Sequence, residues 1–125
     1  MKKHIEPLTE QIINFQTAKL AKEKGLTEGG LTWMFYEENG RVFNNEYEVG
    51  EQDYICCTQE FLRKWLREQH NIDVWAKPFL VLSNKKYLGF VNFSPNKSEK
   101  KSHITQNTYE EAIEFALVEA LKLIK

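Results

Sequence analysis

Residues 72–93 read IDVWAKPFLVLSNKKYLGFVNF, two apolar runs either side of the polar break Ser83-Asn84-Lys85-Lys86. Runs rich in β-branched and aromatic residues, interrupted by a short polar segment, form a hairpin. With the turn at that break, Leu82 stands opposite Tyr87 and Val81 opposite Leu88. Phe79, Val81, Leu88 and Phe90 then fill one side of the ribbon, and Leu80, Leu82, Tyr87 and Val91 the other. Strands apolar on both faces belong in the middle of a protein or at an interface. Pro78 has no N–H to give to a ladder, so it marks an edge or a bulge.

Helical signals flank this hairpin. Upstream, Thr58 caps a helix over about Gln59–His70, with Asn71 near its end. Phe61, Leu62, Trp65 and Leu66 form its apolar side; Arg63, Lys64 and Arg67 lie beside one another on the other. Downstream, Thr108 and Glu111 make a capping box. Ile113, Ala116, Leu117, Ala120, Leu121 and Ile124 follow as one apolar stripe of helical period. A first helix spans about Phe15–Lys24, between a capping Asn14 and a terminating Gly25. After it, Asn39-Gly40 signals a second hairpin turn. If those two residues are the loop, Tyr36 faces Phe43, Met34 faces Asn45 and Thr32 faces Tyr47. Trp33 and Phe35 then lie on the face bearing Asn44, Glu46 and Glu48, which marks that aromatic pair as a candidate contact surface.

The expected class is α+β: an antiparallel sheet of about four strands from two hairpins, with three helices in the order helix, hairpin, helix, hairpin, helix. At 125 residues the chain is expected to be one domain, 1–125. Its net charge near −1 argues against a non-specific nucleic-acid coat, which needs excess Lys and Arg to displace counterions. No window has the apolar length of a bilayer span, and Met1-Lys2-Lys3 has no apolar run behind it to make a signal peptide. Cys56 and Cys57 are adjacent, a poor geometry for a disulfide, and read as free thiols. A cytoplasmic location is therefore expected, with no membrane among the partners.

Three segments carry a resemblance: Thr17–Gly25 (TAKLAKEKG), Lys64–Glu68 running on to Ile72, and Thr108–Ala112 leading to Glu119–Lys122. Together they resemble small uncharacterised proteins encoded in phages and prophages of Bacteroidota. The resemblance implies a genomic setting and no reaction, ligand or functional residue.

No chemistry-bearing motif emerges. His4, His70 and His103 do not combine with Cys56 and Cys57 at zinc-ligand spacing. A cysteine before a helix N-terminus has a depressed thiol pKa, yet nothing supplies the base that a nucleophile needs. Gly29-Gly30 precedes a strand and not a helix, and Glu37-Glu38 sits at a hairpin tip. No catalytic residue, cofactor or metal is expected. Charge is more informative. Eight acids between Glu28 and Glu60 stand against Arg41 alone, and six lysines between Lys77 and His103 against Glu99 alone. The leading expectation is a non-enzymatic protein that works by protein binding or self-association, with Trp33, Phe35, Glu46 and Glu48 as its surface. The alternative is a nucleic-acid-binding protein using Arg63, Lys64 and Arg67 with Lys97, Lys100 and Lys101.

Overall fold

The computed structural model describes residues 12–27, 34–44, 53–93, 98–101 and 105–124. Its class and element order are those expected, an α+β chain in which helix, hairpin, helix, hairpin and helix follow one another. The hairpins belong to separate sheets, and each sheet gains a third strand. The chain expected as one domain falls into two compact units, residues 1–61 and 62–125.

In the first unit, α1 (Phe15–Glu23) starts where Asn14 Oδ1 accepts the Thr17 N–H at 2.9 Å. It ends in a Schellman motif: the Leu26 N–H donates to the Ala21 carbonyl and the Gly25 N–H to that of Lys22, with Gly25 at φ +109°. Leu26, Ala18 and Ala21 are all buried. The sheet has the order β2 (Val42–Asn44), β1 (Met34–Tyr36), β3 (Tyr54–Ile55), all antiparallel. Phe15 packs its ring against Tyr36 and Tyr54, each 5.6 Å away between centroids. A Cβ on Gly40 would meet that Phe15 ring at 3.1 Å, so the turn and the helix share one tight contact.

The register of β1 and β2 corrects the sequence reading. Phe35, not Tyr36, faces Phe43; Tyr36 faces Val42 and Met34 faces Asn44. The loop holds three residues, Glu38, Asn39 and Gly40, closed by Glu37 N–H to Arg41 O at 2.8 Å and Gly40 N–H to Glu37 O at 2.9 Å. Asn39 Oδ1 accepts the Arg41 N–H, and Gly40 takes φ +90°. Such a turn with a left-handed third residue is the next commonest hairpin loop after the two-residue one. One extra residue flips every side chain to the other face.

The second unit holds most of α2 (Gln59–His70), the sheet β4 (Ile72–Val81), β5 (Asn84–Phe93), β6 (Ser98–Lys101), and α3 (Tyr109–Lys122). In α3, Thr108 Oγ1 accepts the Glu111 N–H at 3.1 Å, as the capping box requires. Ile113, Ala116, Leu117, Ala120 and Leu121 are all buried, joined by Ala112. The helix packs on both β4 and β5. Its closest approach is at Gly89, where an added Cβ would lie 2.6 Å from the Ala112 carbonyl and 2.9 Å from the Ala116 Cβ. Ile72, Val74, Gly89 and Val91 line that covered face.

Two stability predictions follow from this packing. Leu117→Ala, fully buried in α3, should lower unfolding stability by about 2–5 kcal/mol, read as the urea midpoint. Gly89→Ala should cost about 1–3 kcal/mol by overpacking, because the obstacle is helix backbone that cannot rotate away; an unchanged midpoint would mean that α3 does not sit on β5 as described.

Candidate functional site: the tip of the second hairpin

The long hairpin does not turn at Ser83–Lys86. Val81 pairs with Asn84, so the loop is Leu82-Ser83 alone, and Leu80 faces Lys85 while Phe79 faces Lys86. This corrects the expected pairs Leu82 with Tyr87 and Val81 with Leu88. Both loop residues have positive φ, +49° at Leu82 and +72° at Ser83, which is the signature of a type I′ turn. That turn matches the right-handed twist of two long strands, and the match decides the register over the polarity of the residues. The turn moves by two residues, so the division of side chains between faces is kept.

Leu82 is the wrong residue for its position by every local rule. A left-handed conformation costs an L-residue roughly 1–2 kcal/mol, and the position is ordinarily given to Gly or Asn. Its side chain gains nothing from its own fold in return, being 93% exposed. Leu80 is 74% exposed and Val81 39% exposed, so three consecutive aliphatic residues stand in water at one apex. Length explains why. A ten-residue strand runs about 33 Å, whereas the 14-residue α3 runs about 21 Å and is anchored at Gly89. The helix covers the base of the ribbon and the apex projects past it.

Lys85 and Lys86, opposite Leu80 and Phe79, flank this apex, and Lys77 lies further down the ribbon. Lys85 lies over the Tyr87 ring at 5.7 Å and Lys77 over the Phe90 ring at 5.5 Å. Lys86 Nζ donates to Asn107 Oδ1. No acid occurs between Asp73 and Glu99, and none of the three lysines forms an ion pair among the described residues. Below the apex Trp75 stacks on Phe90, with centroids 5.5 Å apart and planes 8° from parallel. Tyr87 exchanges both its backbone bonds with Gln106 at 2.9 Å, away from β4. Pro78 faces Tyr87, so its missing N–H breaks no bond of the ladder. On the same outer edge the Val74 carbonyl accepts from Arg63 Nε at 2.9 Å. Proline and arginine therefore close the edge of β4 to another strand, and the apex is left as the accessible feature.

The residues singled out from sequence are distributed otherwise. Phe35 is 3% exposed, paired with Phe43 and Ile55, and so belongs to the core and not to a contact surface. Its companions Trp33, Glu46 and Glu48 lie outside the described residues. Arg63 is half-buried and engaged with β4, while Lys64 and Arg67 are exposed on α2. Lys100 and Lys101 lie on β6 opposite Val91 and Phe90, and Lys97 is outside the described residues. Cys56 and Cys57 are fully buried. Burial pushes the Cys56 thiol above its ordinary range, and a hydrogen bond with Tyr36 opposes this only in part. At Cys56 desolvation therefore outweighs any lowering by the helix N-terminus that follows. Among the described residues no three His, Cys, Asp or Glu side chains gather as metal ligands, and no helix is long and apolar enough to cross a membrane. Comparisons with protein-family models, with curated proteins and with solved structures find no match.

The apex makes a test that separates function from stability. Leu82→Asn should raise stability by about 1 kcal/mol, seen as a higher melting temperature, because Asn tolerates the left-handed region. For the cysteines, a disulfide-exchange reagent at pH 8 should label the native chain slowly and the urea-unfolded chain at once. Equal rates would mean that the thiols are accessible.

Proposed function

We propose that this protein is a non-enzymatic accessory protein of phage or prophage type, which works by seating the Leu80–Leu82 apex in an apolar depression of a protein partner. The observation that carries the reading is Leu82 itself, strained at φ +49° and 93% exposed. A side chain that costs stability where it stands has its use outside the fold. Burying such a leucine is worth roughly 1.5–3 kcal/mol, so the three aliphatic residues together supply the core of a small interface. The lysines around them suit a partner with carboxylates at the rim, which steer approach and set register. The nucleic-acid alternative has less behind it. Its arginines are divided between a structural bond and solvent, and Lys100 and Lys101 sit on β6, away from the α2 residues in the chain.

The test places a photo-crosslinking phenylalanine analogue at position 82 of the full chain, with the exposed position 64 of α2 as control. The expected result is a discrete adduct from position 82 alone, suppressed by excess wild-type protein and not by the Leu82→Asn variant. Absence of a specific adduct, or equal competition by both proteins, would overturn the apex as the contact.

A further inference from the structure

We infer that the partner segment meeting the apex is an amphipathic helix with an acidic polar face, seated in the step between the free end of the ribbon and the first turn of α3. The inference rests on the reading of the apex as a contact and adds what lies against its inner side. Every residue involved belongs to the second unit. Of the five large apolar side chains exposed among the described residues, four are Leu80, Val81, Leu82 and Tyr109. Tyr109 opens α3, and its ring meets that of Tyr87 edge to face, with centroids 6.3 Å apart. Tyr87 stands opposite Pro78, and Leu80 opposite Lys85 two rungs along on the same face. Gly89, on which α3 rests, lies on that face in the other direction. Gln106 bonded to Tyr87 and Thr108 capping α3 hold the start of the helix at the Tyr87 rung. Beyond that rung the ribbon runs on without the helix.

The floor of this step is Pro78, Leu80 and Tyr87, and its wall is Tyr109. The ribbon from Pro78 to Leu82 spans about 13 Å, and a helix with its side chains is about 10–12 Å across. One helix laid across the ribbon fills that width and continues the layer that α3 begins. Its apolar side chains, three and four residues apart, meet Leu80 on the floor and Tyr109 on the wall. Charge selects its polar face. Lys85 shares the rung of Leu80 and holds its ammonium over the Tyr87 ring at 5.7 Å. Lys86, one rung down, donates to Asn107, the residue before the capping Thr108. Neither lysine forms an ion pair among the described residues. Glu110 and Glu111 occupy the first turn of α3, where the helix dipole favours them and Glu111 accepts from the Thr108 hydroxyl. Carboxylates on the partner helix therefore pair with Lys85 and Lys86 at the border of the apolar contact, where they fix its register.

Fluorescence anisotropy of a labelled synthetic helix against the full chain tests this. The probe carries Leu at i, i+3, i+4 and i+7 and Glu on its other face; a second probe has Lys in place of each Glu. The Glu probe should bind saturably, and the Lys probe about tenfold or more weakly. Tyr109→Ala should weaken the Glu probe by about tenfold in Kd, and Tyr109→Phe should stay within about twofold of wild type. Lys85→Glu with Lys86→Glu should abolish the preference for the Glu probe, and Lys64→Glu on α2 should bind it as wild type does. Each variant should keep a cooperative melt. A Glu probe that does not bind, or that binds wild type and Tyr109→Ala alike, overturns the inference. So does tighter binding of the chain to phosphatidylserine vesicles than to the probe, which would assign the apex to a lipid surface. Loss in Leu82→Asn without loss in Tyr109→Ala keeps the apex as a contact and removes the step. With an inert probe, a specific adduct from position 82 preserves the apex alone, and the lack of any adduct removes both.

Discussion

The second unit depends on a missing methyl group. Gly89 lets the backbone of α3 come within a distance that no side chain permits, with the Ala112 carbonyl and the Ala116 Cβ against β5. That approach fixes the helix at the base of the ribbon and buries Ile72, Val74 and Val91 beneath Ile113, Leu117 and Leu121. Each buried aliphatic side chain is worth a few kcal/mol, so the choice of glycine at one position governs most of the hydrophobic stabilisation of the unit. It also governs what is left uncovered. A helix anchored there ends before the strands do, and the apex must stand free.

The apex inverts the usual relation between turn chemistry and turn position. Asn84, which tolerates positive φ, comes one residue after the turn, and Leu82 and Ser83 occupy the turn itself. The ladder holds this arrangement in place. Ten pairs between β4 and β5 share one register, and Pro78 opposite Tyr87 accepts that register without losing a bond. Strain at two residues is small against a ladder of that length. The fold therefore bears the cost of presenting three aliphatic side chains, flanked by Lys85 over the Tyr87 ring and Lys86 on the Asn107 amide, neither in an ion pair among the described residues.

The first unit shows the opposite use of aromatic residues. Phe15 meets Tyr54 edge to face and Tyr36 at a tilt, and the Tyr36 hydroxyl donates to the Ile13 carbonyl. The Ile13 N–H reaches the Cys57 carbonyl at 2.9 Å, which ties the entry of α1 to the segment after β3. The two cysteines are small apolar fillers of this region, and burial pushes the Cys56 thiol up.

The sequence by itself determined the three helices and the two hairpins, though not the third strand of either sheet. The cap at Thr108, the stripe from Ile113 to Leu121, the stop at Gly25 and the two apolar ribbons are local signals. They act within three or four residues of chain, and each is present in the folded protein. The charge division was equally legible, because it is a count. Only the tertiary structure decided the registers, and with them the site. The three-residue loop at Asn39-Gly40 packs against Phe15, 25 residues away in the chain, a contact that no local pattern shows. Whether the long hairpin turns at its lysines or at Leu82-Ser83 depends on the summed twist and pairing of twenty residues. A one-residue difference at the first turn took Phe35 into the core, and a two-residue difference at the second put Leu82 at the apex. Polarity along the chain says which residues prefer water. The long-range geometry of the ladder says which of them are left in it.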